Sequence, residues 1–249
     1  MCLIVFGWQA HPKYPLIVAA NRDEFYDRPT RTADRWPDYP QVIGGIDLQA
    51  GGTWLGITES GRFAAVTNVR EPNMPTGKQS RGQLTRDFLI SENTALGYSQ
   101  QINPAAYAGY NLLLGDGESL VYCSNRERTP QRLSPGIYGL SNHRLDSPWP
   151  KLIKVKQEFS AAISELPAEN AFFDLLSDRS TVADQYLPST GVALEWERLL
   201  SAVFVESENY GTRASTLVTV AETGEITLSE RSFGQNGALL HASVISTSV

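Results

Sequence analysis

Cys2-Leu3-Ile4-Val5-Phe6-Gly7-Trp8, then Leu16-Ile17-Val18-Ala19-Ala20, then Asn21-Arg22-Asp23-Glu24: these three runs at the start of the chain decide how it folds. The first is apolar and β-branched and predicts a buried strand over Cys2–Trp8. His11-Pro12-Lys13-Tyr14-Pro15 reads as a turn and Leu16–Ala20 as a second short strand, so the two make a hairpin. The hairpin runs into four polar residues, three of them ionisable. Strand ends are where a rigid scaffold presents chemistry.

Working outward, residues 27–40 are rich in Pro, Arg and Asp and read as an irregular loop. Val42–Ile46 reads as a strand, Gly51-Gly52-Thr53-Trp54-Leu55-Gly56-Ile57 as a turn followed by a strand, and Arg62–Asn68 behind a Ser60-Gly61 turn as a further strand. Ser80 is the expected N-cap of a helix reaching about Ile90, and a second helical piece is expected over 94–108. Tyr110–Leu114 and Leu120–Ser124 form a hairpin across Gly115-Asp116-Gly117-Glu118, and Ile137–Ser141 is a further short strand. Pro148 opens a helical stretch whose apolar face includes Leu152, Val155, Phe159 and Ile163. Helices around Phe172–Leu176 and Leu194–Leu200 follow. Ala214–Val220, Ile226–Phe233 and Ala238–Val244 close the chain as strands.

Strands, helices, strands, helices, strands fit neither βαβ alternation nor an all-β chain. The order predicts an α+β fold, a four-layer αββα sandwich of two antiparallel sheets between helical layers, in a single domain over residues 1–249. With 41% hydrophobic and 19% charged residues, 249 residues can bury a large core. A net charge of −6 without a basic block argues against nucleic acid as a partner. Cys2 and Cys123, the two cysteines, make neither a disulfide framework nor a metal cluster, so no metal is expected. No stretch approaches the about 18–20 apolar residues of a membrane-spanning helix, and no signal-peptide pattern precedes the first strand. The expected location is the cytoplasm; the oligomeric state carries no signal.

Cys2 holds the key position. If Met1 is removed, one residue carries a thiol and a free α-amine whose reference pKa is about 7.7–8.0, a general base beside a nucleophile. A small buried residue at a strand start is the plainer reading, since free Cys is among the most buried types. Four polar clusters join it at expected strand ends: Asn21–Glu24, Thr67-Asn68-Val69-Arg70, Leu140-Ser141-Asn142-His143 and Tyr210-Gly211-Thr212-Arg213. Together they supply the thiol, carboxylates, amides and guanidinium groups that acyl transfer needs. Singly, each has an ordinary structural reading as a turn residue, an ion pair or a solvated charge.

Asn21-Arg22-Asp23-Glu24 behind Met-Cys and a hairpin, with Gly52-Thr53-Trp54-Leu55-Gly56, Thr67–Arg70, Leu140-Ser141-Asn142 and Tyr210–Arg213, resembles the NRDE family, also called the transport and Golgi organisation protein 2 family. That family is similar to N-terminal nucleophile hydrolases of the choloylglycine hydrolase and penicillin acylase type. The resemblance implies the αββα sandwich and amidohydrolase chemistry. By that likeness Cys2 matches the nucleophile, and Arg22 and Asp23 the pair that holds it. Asn68 and Asn142 match the amides near the oxyanion, and Arg213 a late-strand arginine in the pocket. In the hydrolases the Arg and Asp are separated by two residues, whereas here they are adjacent, so Glu24 is an alternative acid. Asn21, Glu24, Arg70 and His143 are expected binding residues.

The family resemblance also implies other roles: intracellular haem trafficking, and binding of acyl-CoA or a lipid-like ligand. No cofactor is required for the hydrolase reading; the expected partner is a small acyl substrate, or haem as a bound ligand. For haem, His11, His143, His241, Cys2, Met74 and the tyrosines are the available ligands, without a CxxCH attachment motif. For acyl-CoA, Arg28, Arg31, Arg35 and Arg70 are the available phosphate contacts.

Overall fold

The computed structural model describes residues 2–72 and 77–248. Met74, one of the haem-ligand candidates, lies outside the described residues. The opening hairpin is longer than expected: β1 covers Cys2–His11 and β2 covers Tyr14–Phe25. The remaining strands are β3 (Thr30–Arg35), β4 (Val42–Asp47), β5 (Leu55–Thr58), β6 (Phe63–Asn68), β7 (Tyr110–Gly115), β8 (Leu120–Ser124), β9 (Gln131–Arg132), β10 (Gly136–Leu140), β11 (Tyr210–Val220), β12 (Glu225–Phe233) and β13 (Leu239–Ser248). The α-helices are α1 (Arg81–Leu89), α2 (Ala95–Gln101), α3 (Pro150–Ala162), α4 (Asn170–Leu176) and α5 (Leu194–Leu199).

Among the described residues the strands form two antiparallel sheets, one ordered β10-β1-β2-β11-β12-β13 and the other β3 through β9 in sequence order. Side chains alternate across each strand, so the first run serves two cores at once. Ile4, Phe6 and Trp8, with Leu16, Val18 and Ala20, pack between the sheets against Ile43, Ile57, Phe63 and Leu113. Leu3, Val5, Ile17 and Ala19 pack on the other face against Leu152, Phe159 and Phe172 of α3 and α4. A third core lies between the second sheet and α1 and α2, around Val66, Leu84, Phe88 and Leu112. The layers are therefore helix, sheet, sheet, helix, as expected.

Four expectations are corrected. Asn21–Glu24 do not follow a strand but lie within β2, because β11 pairs along it as far as Tyr210↔Phe25. Thr30–Arg35 is not loop; it forms an edge strand beside β4. Its polar, charged composition is how edge strands resist pairing with other chains. The helix expected over 94–108 ends at Gln101, and Pro104–Ala106 is a separate 3-10 turn. The last strand runs on to Ser248, paired to β12. Where local chemistry was specific the ends agree: Ser80 caps α1, accepting from the Gly82 amide at 3.3 Å.

Candidate active site

Cys2 opens β1 and Arg22 lies directly across the antiparallel register in β2. By alternation both share the face of Ile4 and Ala20, the inter-sheet face, and they mark its open end. There a cavity of about 600 Å³ is lined by Cys2, Arg22, Asp23, Glu24, Trp54 and Asn68, with Arg28 and Asp47 to one side and Lys78–Gly82 forming a wall. That wall includes the capped N-terminus of α1. Gly52 lets it approach, because a Cβ there would stand 2.3 Å from the Gly82 backbone.

Arg22 is buried, and its guanidinium lies 4.4 Å from the Trp54 ring centroid. Its Nη1 has no hydrogen-bond partner among the described residues. Asp23 is buried and accepts from Thr212 Oγ1 at 2.8 Å. Burial pushes its carboxyl pKa up, opposed by the charges of Lys151 and Arg70 among others. Burial also pushes the Cys2 thiol up, while Arg22 pulls it down. A raised thiol needs a base to become a nucleophile. Glu24 accepts from its neighbour's amide, Phe25 N, at 2.9 Å, and Arg28 is held by Asp47 at 2.7 Å.

The side chain of Asn68 makes no hydrogen bond among the described residues and borders the cavity. Asn142 was expected beside it but does not line the cavity. It is fully buried, and its Nδ2 donates to the Asn68 carbonyl at 3.0 Å. Ser141 Oγ donates to the Cys2 carbonyl at 3.1 Å, and Thr67 Oγ1 donates to the Ser141 carbonyl at 2.7 Å. The 141–142 turn thus ties the starts of β1 and the end of β6 together.

The other expected residues go elsewhere. Asn21 faces the helical layer; its Nδ2 donates to Leu176 O and Val203 O at 2.8 and 2.9 Å, and its Oδ1 accepts from Ser215. Arg213 is the extra residue of a β-bulge, set between Thr212 and Ala214 in the pairing with β2. The bulge re-aims its side chain, and Nη1 donates to Phe25 O and Arg28 O instead of lining the cavity. Arg70 is buried in an ion pair with Glu197 at 2.6 Å, and His143 is exposed; both line a different cavity. Of the other arginines considered for phosphate, Arg35 pairs with Glu59, and neither it nor Arg31 reaches the Cys2 cavity.

Among the groups that escaped the sequence reading, two stand out: Arg81, which lines the cavity, and Lys151, which does not line it but acts on the Asp23 carboxyl. Arg81, the first residue of α1, lines the cavity and donates to Gly109 O at 3.1 Å. Lys151, the second residue of α3, is buried with Nζ donating to Leu200 O at 2.7 Å. Burial lowers its pKa to about 8, against the opposing pull of Asp23. Its place in a helix beside Pro150 looks like an ordinary exposed position; only the three-dimensional packing of the 200–202 turn reveals it. Among the described residues no cluster of His, Cys, Asp or Glu could hold a metal ion, and no helix is long and apolar enough to cross a membrane.

This arrangement of layers is the N-terminal nucleophile hydrolase fold. A Caenorhabditis elegans ortholog of N-acylethanolamine-hydrolyzing acid amidase matches with a TM-score of 0.50 and 12% identity, over 87% of this chain and 92% of that one. A mutant of the conjugated bile acid hydrolase from Clostridium perfringens matches with a TM-score of 0.51 and 9% identity, over 98% and 92%. At such identities the likeness is one of fold. Sequence narrows the class: the family model for Transport and Golgi organisation 2 matches residues 1–235. The Bos taurus Transport and Golgi organization protein 2 homolog is 39% identical over 258 residues, covering 93% of each chain. The Homo sapiens homolog is 36% identical with the same coverage, and the Drosophila melanogaster protein is 30% identical, covering 88% of each. The chain belongs to the Transport and Golgi organisation 2 family.

Proposed function

We propose that the protein is an N-terminal nucleophile hydrolase of a small amide or thioester, with Cys2 as the nucleophile. The observation that carries this is the register pairing of Cys2 with Arg22 at the mouth of a cavity that Asn68 also borders. Both structural neighbours are, by their names, hydrolases, one of them an amidase, which supports an amide as the first substrate class to try.

The chemistry runs through a Cys2 whose α-amine is freed by loss of Met1. The amine takes the thiol proton, and Sγ bonds to the substrate carbonyl carbon as the C=O electron pair moves onto oxygen. Asn68 Nδ2 and the Arg22 guanidinium stabilise that oxyanion; one such donor is worth about 2.7–4 kcal/mol. The tetrahedral adduct collapses, the ammonium returns its proton to the leaving amine or thiolate, and a Cys2 thioester remains. Water, deprotonated by the amine, then attacks the thioester and releases the acid and the thiol. Asp23 orients the site from below and Asn142 holds Asn68. Hydrolysis of an N-acyl amide and an acyl thioester by the native protein, abolished in Cys2→Ala, tests the reading; equal turnover by the variant rejects it.

A second reading has its own support. Arg22, Arg28, Lys78 and Arg81 line the cavity against Asp23, Glu24 and Asp47, a cationic surplus that suits the phosphates of an acyl-CoA. A melting shift with an acyl-CoA that Arg81→Gln reduces tests it. Haem fits the lining less well: no histidine borders the cavity, leaving Cys2 as the axial ligand to test by haemin titration.

A further inference from the structure

Arg70 and His143 come together in a second cavity of about 380 Å³ that shares no lining residue with the Cys2 cavity. Its other polar walls are Glu71, Asn111, Arg126, Arg144, Ser189 and Thr190. We propose that this cavity is a binding site for a phosphate-type oxyanion, a function separate from acyl transfer at Cys2.

Three guanidinium groups border one small space in a chain whose net charge is −6. Two are already paired. Arg126 donates to both carboxylate oxygens of Glu71, with Nε 3.0 Å from Oε2. Arg70 donates through Nη1 to Glu197, whose other oxygen accepts from Thr190 N at 2.9 Å and from Thr190 Oγ1. Three cations against two carboxylates leave one charge uncompensated. Arg144 supplies it: it is exposed, and its side chain has no ion pair or hydrogen bond among the described residues.

Unspent donors point the same way. Arg70 is 4% exposed, yet its Nε and Nη2 have no hydrogen-bond partner among the described residues. Buried donors left unpaired are costly, and a bound acceptor removes that cost. His143 uses Nδ1 with Ser147 Oγ at 2.8 Å, leaving Nε2 available. Trp149 fixes both residues, lying 4.8 Å from the Arg70 guanidinium and stacking on the His143 ring at 5.7 Å. Donors from several directions, with the hydroxyl of Ser189, match the oxygens of a tetrahedral anion better than the two of a carboxylate.

The test is a titration of the full chain with inorganic phosphate at constant ionic strength, read by phosphorus NMR and calorimetry, with acetate as the carboxylate comparison. The wild type binds phosphate saturably and acetate at least about tenfold more weakly. Arg144→Gln and Arg126→Gln, both on the surface, each weaken phosphate about tenfold, whereas Arg81→Gln at the Cys2 cavity changes it less than about twofold. Absence of saturable binding overturns the proposal, and so does an unchanged affinity in Arg144→Gln. Loss in Arg81→Gln with retention in Arg144→Gln overturns it by moving the anion to the Cys2 cavity. Acetate binding as tightly as phosphate overturns the choice of ligand.

Discussion

Asn142 Nδ2 donates to the main-chain carbonyl of Asn68 at 3.0 Å, so a residue that borders the reactive cavity is held by one that does not. Under the proposed function, the two amides expected to share one task divide it. Asn68 is free to face an oxyanion, and Asn142 fixes where Asn68 sits. Asn68→Ala should therefore lower kcat by about 10²–10³ with little change in stability. Asn142→Ala should destabilise by about 1–3 kcal/mol by stranding buried groups, and lower kcat through misplacement. Steady-state kinetics beside denaturant unfolding separates the two.

Arg22 is one of the charges that pull the Cys2 thiol pKa down against burial. Arg22→Met should shift the pH profile of Cys2 alkylation to higher pH and slow the reaction at neutral pH. The rate of iodoacetamide labelling as a function of pH reads this directly, with an unchanged profile counting against Arg22 as a tuning residue.

Trp54 is the platform under Arg22, and Gly45 leaves it room: a Cβ at position 45 would lie 2.0 Å from the Trp54 ring. Gly45→Ala should displace the ring, costing about 1–3 kcal/mol of stability as overpacking does, and should slow Cys2 labelling without touching the cavity's polar groups. Melting and tryptophan fluorescence monitor the displacement.

The buried Lys151 predicts a pH signature. Its folded pKa, about 8, lies below the ordinary 10.5. Between those values the unfolded chain holds a proton that the folded chain has released, so this group's contribution to stability rises with pH across that window and is lost as pH falls through about 8. Lys151→Met removes this dependence. The stability difference between wild type and variant should change by on the order of 2–3 kcal/mol from pH 8 to 10.5, at about 1.4 kcal/mol per pKa unit. Parallel curves would mean the lysine is not buried as a charge.

Much of the fold was legible because its signals are local. Cys2–Trp8 is continuously apolar since both faces of β1 are covered, and Leu120–Ser124 has the limits expected of it. β3 was not legible: its partner strand β4 and the Glu230 carboxylate that accepts from Ala33 N lie elsewhere in the chain. The site was legible as a set of residues but not as a geometry. Ending the second strand at Ala20 hid the alternation that sends Asn21 to the helical layer and Arg22 to the cavity. Extending the strand to Phe25 would have separated them on paper. Nothing local signals the bulge that turns Arg213 away, since it arises from the pairing of β11 with β2.

The most direct test of the central claim is mass mapping of the native protein's N-terminal peptide after brief exposure to an acyl thioester. The account predicts a peptide that begins at Cys2 and carries the acyl group on that residue, bound first through sulfur and free to pass to the α-amine once the peptide is released, with the adduct absent in Cys2→Ser at the same exposure. A peptide that retains Met1 and an unmodified Cys2, in a sample that turns over the thioester, would contradict it.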